Sequence, residues 1–139
     1  MARVRSININ QAGVQRLASD PRTPTYRQMT RIGRAVQSTA QQLAPVDTGR
    51  LRQSGDTQMR PGRGSLVARV GFYVRHAWWV HEGTGIYGPR RTPITPRRAR
   101  VLAWRDRRGG WRYARSVRGM RPRPFLRRAV RLVTGKNPR

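Results

Sequence analysis

The chain has no cysteine, so a disulfide framework and a thiolate metal site are both excluded. It has almost no lysine: Lys136 stands alone among 31 basic residues, and the others are arginine. Acids are scarce as well, with 5 Asp and Glu in 139 residues. No apolar run reaches the length of a membrane-spanning helix. The opening "MARVRSININ" lacks the apolar stretch of a secretory signal. With two histidines, five acids, no G-x-S-x-G and no evident carboxylate pair, the chain offers little to a catalytic mechanism. We therefore expect no enzyme, no cofactor and no metal centre.

What is present is positive charge. The formal net charge is +26. From Arg90 onward eighteen residues are basic and only Asp106 is acidic. Guanidinium is planar and bidentate, which suits phosphate and carboxylate. A coding bias toward arginine would explain its excess over lysine, but not the shortage of acids. A free monomer so basic would repel itself and bind polyanions indiscriminately. Nucleic acid or an acidic protein surface is expected close by. The hydrophobic fraction, 36%, is low, and 14 Gly and 10 Pro point to long polar loops. A modest core that leans on neighbouring subunits follows.

One domain over 1–139 is expected. "VRSINI" reads as a short strand, and Asn10 as the cap of a short helix through Ala18. Tyr26, Met29, Ile32, Val36, Ala40 and Leu43 recur at helical spacing, which predicts a helix of about five turns from Pro24 to Leu43, stopped by Pro45. "PGRG" between "DTQMR" and "SLVARVGFYV" predicts a hairpin. A second hairpin is expected around "DRRGG", from "VLAWR" to "WRYARSV". Residues 86–100 form an extended arginine- and proline-rich loop. Phe125, Leu126, Ala129, Val130 and Val133 predict a short C-terminal helix, and 134–139 a flexible tail. The fold class is α+β: a long N-terminal helix packed on a small, mostly antiparallel sheet of two hairpins, with a long loop and a short C-terminal helix.

Four features invite a functional reading. "GTGIYG" matches G-x-G-x-x-G, but three prolines follow and no helix opens, so a plain glycine turn is favoured. His76, His81 and Glu82 lack metal-ligand spacing, so packing or loop hydrogen bonding is favoured. Trp78 and Trp79 could stack on bases; core packing or a subunit contact is favoured. Arg90, Arg91, Arg97 and Arg98 could grip phosphates, and with Arg107 and Arg108 on the second hairpin they are candidate contacts to neighbouring subunits, acidic protein surfaces or DNA. Solvated surface is an equal reading for the loop arginines. The turn after the long helix faintly suggests helix-turn-helix, but its second helix is too short for a major groove.

"APVDTGRLRQS" holds the rare acid Asp47 just where the long helix ends. Its physics is that of a joint: Pro45 stops the helix, Asp47 or Thr48 caps the next turn, Gly49 allows a bend, and Leu51 anchors it. Taken with "HAWWVHEGT" and "RPRPFL", the joint resembles the neck and tail-completion family of long-tailed double-stranded DNA phages. That family's pattern runs Ala-Pro-x-Asp-Thr-Gly-x-Leu, then Tyr-Ala-x-x-Val-Glu-x-Gly-Thr, then Pro-x-Pro-Phe-Leu. Ala44, Pro45, Asp47, Thr48, Gly49 and Leu51 match the first part. Ala77, Val80, Gly83 and Thr84 match the second. Pro122, Pro124, Phe125 and Leu126 match the third. His76 replaces the family's tyrosine, and Glu82 lies one place later than the family's acid.

The resemblance implies a non-enzymatic structural protein of the virion head–tail junction, met in the host cytoplasm during assembly. It implies a ring homo-oligomer, a hexamer, around the DNA channel. Its partners would be adjacent neck, head-closure and tail proteins, with non-specific contact to channel DNA. A tail terminator and a basic nucleic-acid-binding module are the rival readings. Most of the charge is expected outward or between rings, because a basic lumen would hold DNA that must slide.

Overall fold

The computed structural model describes residues 11–62 and 65–136. The "VRSINI" strand, the Asn10 cap, the last two residues of "PGRG" and the last three residues of the expected tail lie outside the described residues. In chain order the elements are α1 (Gln11–Ser19), α2 (Pro24–Leu43), α3 (Arg50–Gln53), β1 (Gly55–Gly62), β2 (Ser65–Phe72) and α4 (His76–Glu82). A 3₁₀ turn (Gly85–Tyr87), β3 (Leu102–Arg105), β4 (Trp111–Ala114) and α5 (Phe125–Thr134) complete the chain. This is the α+β architecture expected from the sequence. The two hairpins nevertheless form separate two-stranded sheets, β1–β2 and β3–β4.

Helix α2 begins where Thr23 Oγ1 accepts a hydrogen bond from the Tyr26 amide at 3.3 Å, with Pro24 in the first turn. It stops because Ala44, preceding Pro45, is extended (φ −65°, ψ 132°). Its buried line runs through Gly33, Val36 and Ala40 and on to Ala44. Leu43, expected on the stripe, is instead exposed. Small residues own this line because the β1–β2 hairpin comes close. A Cβ at Gly33 would lie 2.8 Å from Thr57 Cγ2 and 3.2 Å from Ala68 Cβ. Gln37 then bridges the two elements, donating to the Gly55 carbonyl at 2.8 Å and accepting from Thr57 Oγ1 at 2.7 Å.

Strands β1 and β2 pair antiparallel from Gly55↔Phe72 to Gly62↔Ser65. Leu66, Ala68, Val70 and Phe72 are half-buried on the helix side, while Val67 and Arg69 are exposed, the period of two set by the pleat. Helix α5 covers the other flank of α2 with Phe125 and Ala129. The Phe125 ring meets Phe72 edge-on at 5.0 Å and His81 at 5.7 Å. Among the described residues the buried hydrophobic core is Val36, Ala40, Ala44, Leu51, Ala77, Phe125 and Ala129. Four of these are alanines, so most of the stabilisation from large side chains falls on Val36, Leu51 and Phe125. Each of those contributes about 1.5–3 kcal/mol.

The joint after α2 departs from the expected cap. The N-cap of α3 is Gly49, at φ 79°, with no side-chain cap hydrogen bond. Asp47 and Thr48 are exposed, and among the described residues the Asp47 carboxylate has no hydrogen-bond partner. Arg52 does the holding instead. Its guanidinium donates back to the Ala44 carbonyl at 3.4 Å and the Gln42 carbonyl at 3.3 Å. Those carbonyls form the negative end of α2, which a cation complements. Gln41 Nε2 closes the joint on the Arg52 carbonyl at 2.9 Å. Leu51 anchors it in the core as expected. Replacing Asp47 by Ala is therefore expected to change stability by no more than about 0.5 kcal/mol, the range of exposed surface sites. A urea-denaturation comparison with Arg52→Ala checks this, with the arginine variant the less stable.

Candidate assembly surface

Helix α4 is not foreseen by the sequence pattern, because seven residues are too few for a period to stand out. Its logic is simple once seen. Ala77 is buried and Val80 and His81 are half-buried, the i, i+3, i+4 positions of one face. Trp78 and Trp79 must then point away from the core, and they are 62% and 51% exposed. The core-packing reading of this pair is overturned; the subunit-contact reading is not. His81 donates through Nδ1 to Glu82 Oε1 at 2.8 Å, and Arg127 Nη2 of α5 donates to the same oxygen at 3.3 Å. Glu82 thus ties α4 to α5.

Gly83 ends α4 at φ 80° and opens a backbone crossing. The Thr84 amide donates to the Met120 carbonyl at 2.9 Å, and the Met120 amide donates to Thr84 Oγ1 at 2.9 Å. The Ile86 amide reaches the Arg118 carbonyl at 2.9 Å, and the Arg123 amide reaches the Val80 carbonyl at 2.8 Å. A Cβ at Gly83 would lie 2.9 Å from the Met120 carbonyl oxygen, and one at Gly88 would lie 2.9 Å from the Gly83 carbonyl oxygen. The glycines of "GTGIYG" serve this close crossing and a single 3₁₀ turn. The second and third motifs of the sequence are therefore hydrogen-bonded to each other. Phe125 of the third shares the core with Leu51 of the first. Pro124 immediately precedes α5, and Leu126 is half-buried against the core.

The crossing forms one wall of an open cleft of about 820 Å³. Trp78, Trp79, Gly83, Thr84, Arg90 and Arg97 line it, so six residues singled out from the sequence converge there. Thr92 and Ile94, which drew no attention in the sequence, line it too. Ile94 is placed by a bridge to Val117, with amide-to-carbonyl distances of 2.9 and 3.0 Å. Arg91, at φ 51°, and Arg98 lie outside the lining. Arg107 and Arg108 stand elsewhere, on the exposed turn of the second hairpin.

The charge is nearly unopposed. Glu82 is taken by His81 and Arg127, and Asp106 by Arg112 at 3.1 Å. Asp20 accepts from the Arg22 amide and Asp56 from Gln58. Among the described residues, Arg90 and Arg97 of the cleft have no carboxylate partner. No group of three metal-ligating side chains occurs among the described residues, nor a helix long and apolar enough to cross a membrane.

Trp78, Trp79, Trp104, Trp111 and Tyr113 are all exposed large aromatics. No protein-family model, no curated protein and no solved structure matches the chain.

Proposed function

We propose that the protein is a non-enzymatic structural subunit that completes its fold by assembly with copies of itself and with adjacent ring proteins. We further propose that the assembly is the head–tail junction of a long-tailed double-stranded DNA phage, where it acts as a neck or tail-completion ring in the virion. The observation that carries the first part is the exposure of Trp78, Trp79, Trp104, Trp111 and Tyr113 beside a core that, among the described residues, is built mainly of alanines. Chains with thin cores and exposed tryptophans gain their remaining stability at interfaces, where Trp and Arg dominate the binding energy. What supports the second part is the order of the three sequence motifs, the hydrogen bonds between the second and the third, and the place of Leu51 of the first in the same core as Phe125 of the third.

The cleft beside Trp78 and Trp79 is the assembly surface of this reading. Replacing either tryptophan by Ala should leave the denaturation midpoint almost unchanged, because both are exposed. Assembly should weaken by roughly 2 kcal/mol or more per residue, about thirtyfold. Light scattering on the purified chain across a concentration series measures this. A monomer at every concentration, unaffected by either substitution, would refute the assembly. Cryo-EM of the virion neck tests the location: density for this fold between portal and tail supports it, and its absence there removes it.

A further inference from the structure

The sequence "WRY" puts two aromatic rings two residues apart on β4, hence on one face of the strand. The register places Trp111 opposite Arg105 and Tyr113 opposite Ala103. One face of the hairpin therefore carries Arg105, Ala103, Trp111 and Tyr113. The opposite face carries the half-buried Leu102 and Ala114 and the exposed pair Trp104 and Arg112. Trp111 is 57% and Tyr113 is 65% exposed. Their rings stack on one another, 6.4 Å between centroids and within 24° of parallel, and the Arg105 guanidinium lies over the indole ring, 5.3 Å from its centroid.

The turn that joins these strands is held by the one acid of the arginine-rich half. Asp106 Oδ1 accepts from the Arg108 amide at 3.0 Å and the Gly110 amide at 2.9 Å, while Oδ2 accepts from Arg112 Nε at 3.1 Å. The Asp106 amide donates to the Gly110 carbonyl at 2.8 Å, and Gly109 takes the φ of 81° that closes the turn. With the carboxylate so occupied, Arg107 and Arg108 are presented at the tip, and no carboxylate pairs with them or with Arg105 among the described residues.

We propose that the β3–β4 hairpin is a binding site for single-stranded nucleic acid, with bases stacked on Trp111 and Tyr113 and the flanking phosphates held by Arg105, Arg107 and Arg108. Two near-parallel exposed rings on one strand face match unpaired bases, which stack irrespective of sequence. Unneutralised guanidinium groups around them match the phosphates. A duplex hides its base faces and would use the arginines alone. An acidic protein would satisfy the charge but has no need of parallel rings. A two-stranded hairpin of four-residue strands is marginal in water, and a stacked ligand supplies what it lacks. This site is independent of the head–tail reading and stands or falls without it.

The test is anisotropy of labelled oligo(dT), and of a duplex of equal length, with the full chain over a salt series. Trp111→Ala should weaken oligo(dT) binding roughly 5- to 150-fold, the effect of one lost stacked base. Duplex binding and the salt slope should stay as they were. Trp111→Phe and Tyr113→Phe should keep most of the affinity. Removing Arg107 and Arg108 together should flatten the salt slope for both ligands by about one unit per arginine. Equal losses for duplex and single strand, no loss for either, or Trp111-dependent binding of polyglutamate tighter than oligo(dT) would each overturn the proposal. If Trp111→Ala does not fold, photocrosslinking of the unaltered chain to oligo(dT) decides. Adducts at Trp111 or Tyr113 support the site, and adducts confined to Trp78 or Trp79 overturn it.

Discussion

Gly119→Ala is expected to destabilise the protein by roughly 2–5 kcal/mol, the sum of a strained backbone and a steric clash. Gly119 has φ 89°, a conformation that costs any side chain. A Cβ there would run into the Thr84 carbonyl and lie 2.8 Å from the Gly85 Cα. Both obstacles are backbone, held in place by the hydrogen bonds between Thr84 and Met120, so neither can turn aside. Gly109 supplies the control. It has φ 81° but a Cβ there would meet nothing within 4 Å, so Gly109→Ala should cost only the conformational part, about 1–2 kcal/mol. Urea denaturation of the two variants separates strain from clash. Equal losses would mean that the backbone at the 84–119 crossing can yield to a methyl group.

Phe125→Ala is expected to cost about 3–5 kcal/mol, as for large-to-small changes at buried aromatics. Phe125 is 3% exposed and its ring is the meeting point of Phe72 from β2, His81 from α4 and the core line of α2. Among the described residues, four of the seven buried hydrophobic side chains are alanines, which cannot move in to fill the space. Against a total stability of about 5–15 kcal/mol for a typical domain, this loss is large enough to lower the folded fraction at growth temperature. Phe125→Leu, which keeps much of the volume, should lose clearly less. Thermal melts of the two variants measure the difference. A small loss for the alanine variant would place the stabilising contacts outside this junction.

Three parts of the fold are legible without tertiary information, each for a local reason. The spacing of Ile32, Val36 and Ala40 and the stop at Pro45 write α2. The alternation from Leu66 to Phe72 writes β2. "DRRGG" writes the second turn, because Gly109 suits its positive φ. The joint is harder. Asp47 looks like a cap because caps favour aspartate, yet Gly49 stands at the N-cap of α3 with no side-chain bond, and Arg52 holds the joint by donating to the carbonyls that end α2. A long flexible side chain can reach back in a way that no spacing rule announces.

The candidate surface is legible only in pieces. Trp78, Trp79, Arg90 and Arg97 stand out as residue types, but their gathering into one cleft depends on the crossing of 83–88 with 118–123. That crossing joins segments more than thirty residues apart through backbone groups, which every residue carries, so composition leaves no trace of it. Its one sequence mark is the recurrence of glycine at Gly83, Gly85, Gly88 and Gly119, where a side chain would collide with neighbouring backbone.

By itself, then, the sequence determined the charge, the α+β content, the main elements and the absence of thiol chemistry. Those follow from residue type and short-range periodicity. Only the tertiary structure decided that Trp78 and Trp79 face outward, that Glu82 ties α4 to α5, that the two hairpins do not join, and that Trp111 and Tyr113 share an open face with Arg105. The physical reason is burial. Whether an aromatic ring packs a core or waits for a partner depends on which neighbours close over it, and that is set by contacts between distant segments.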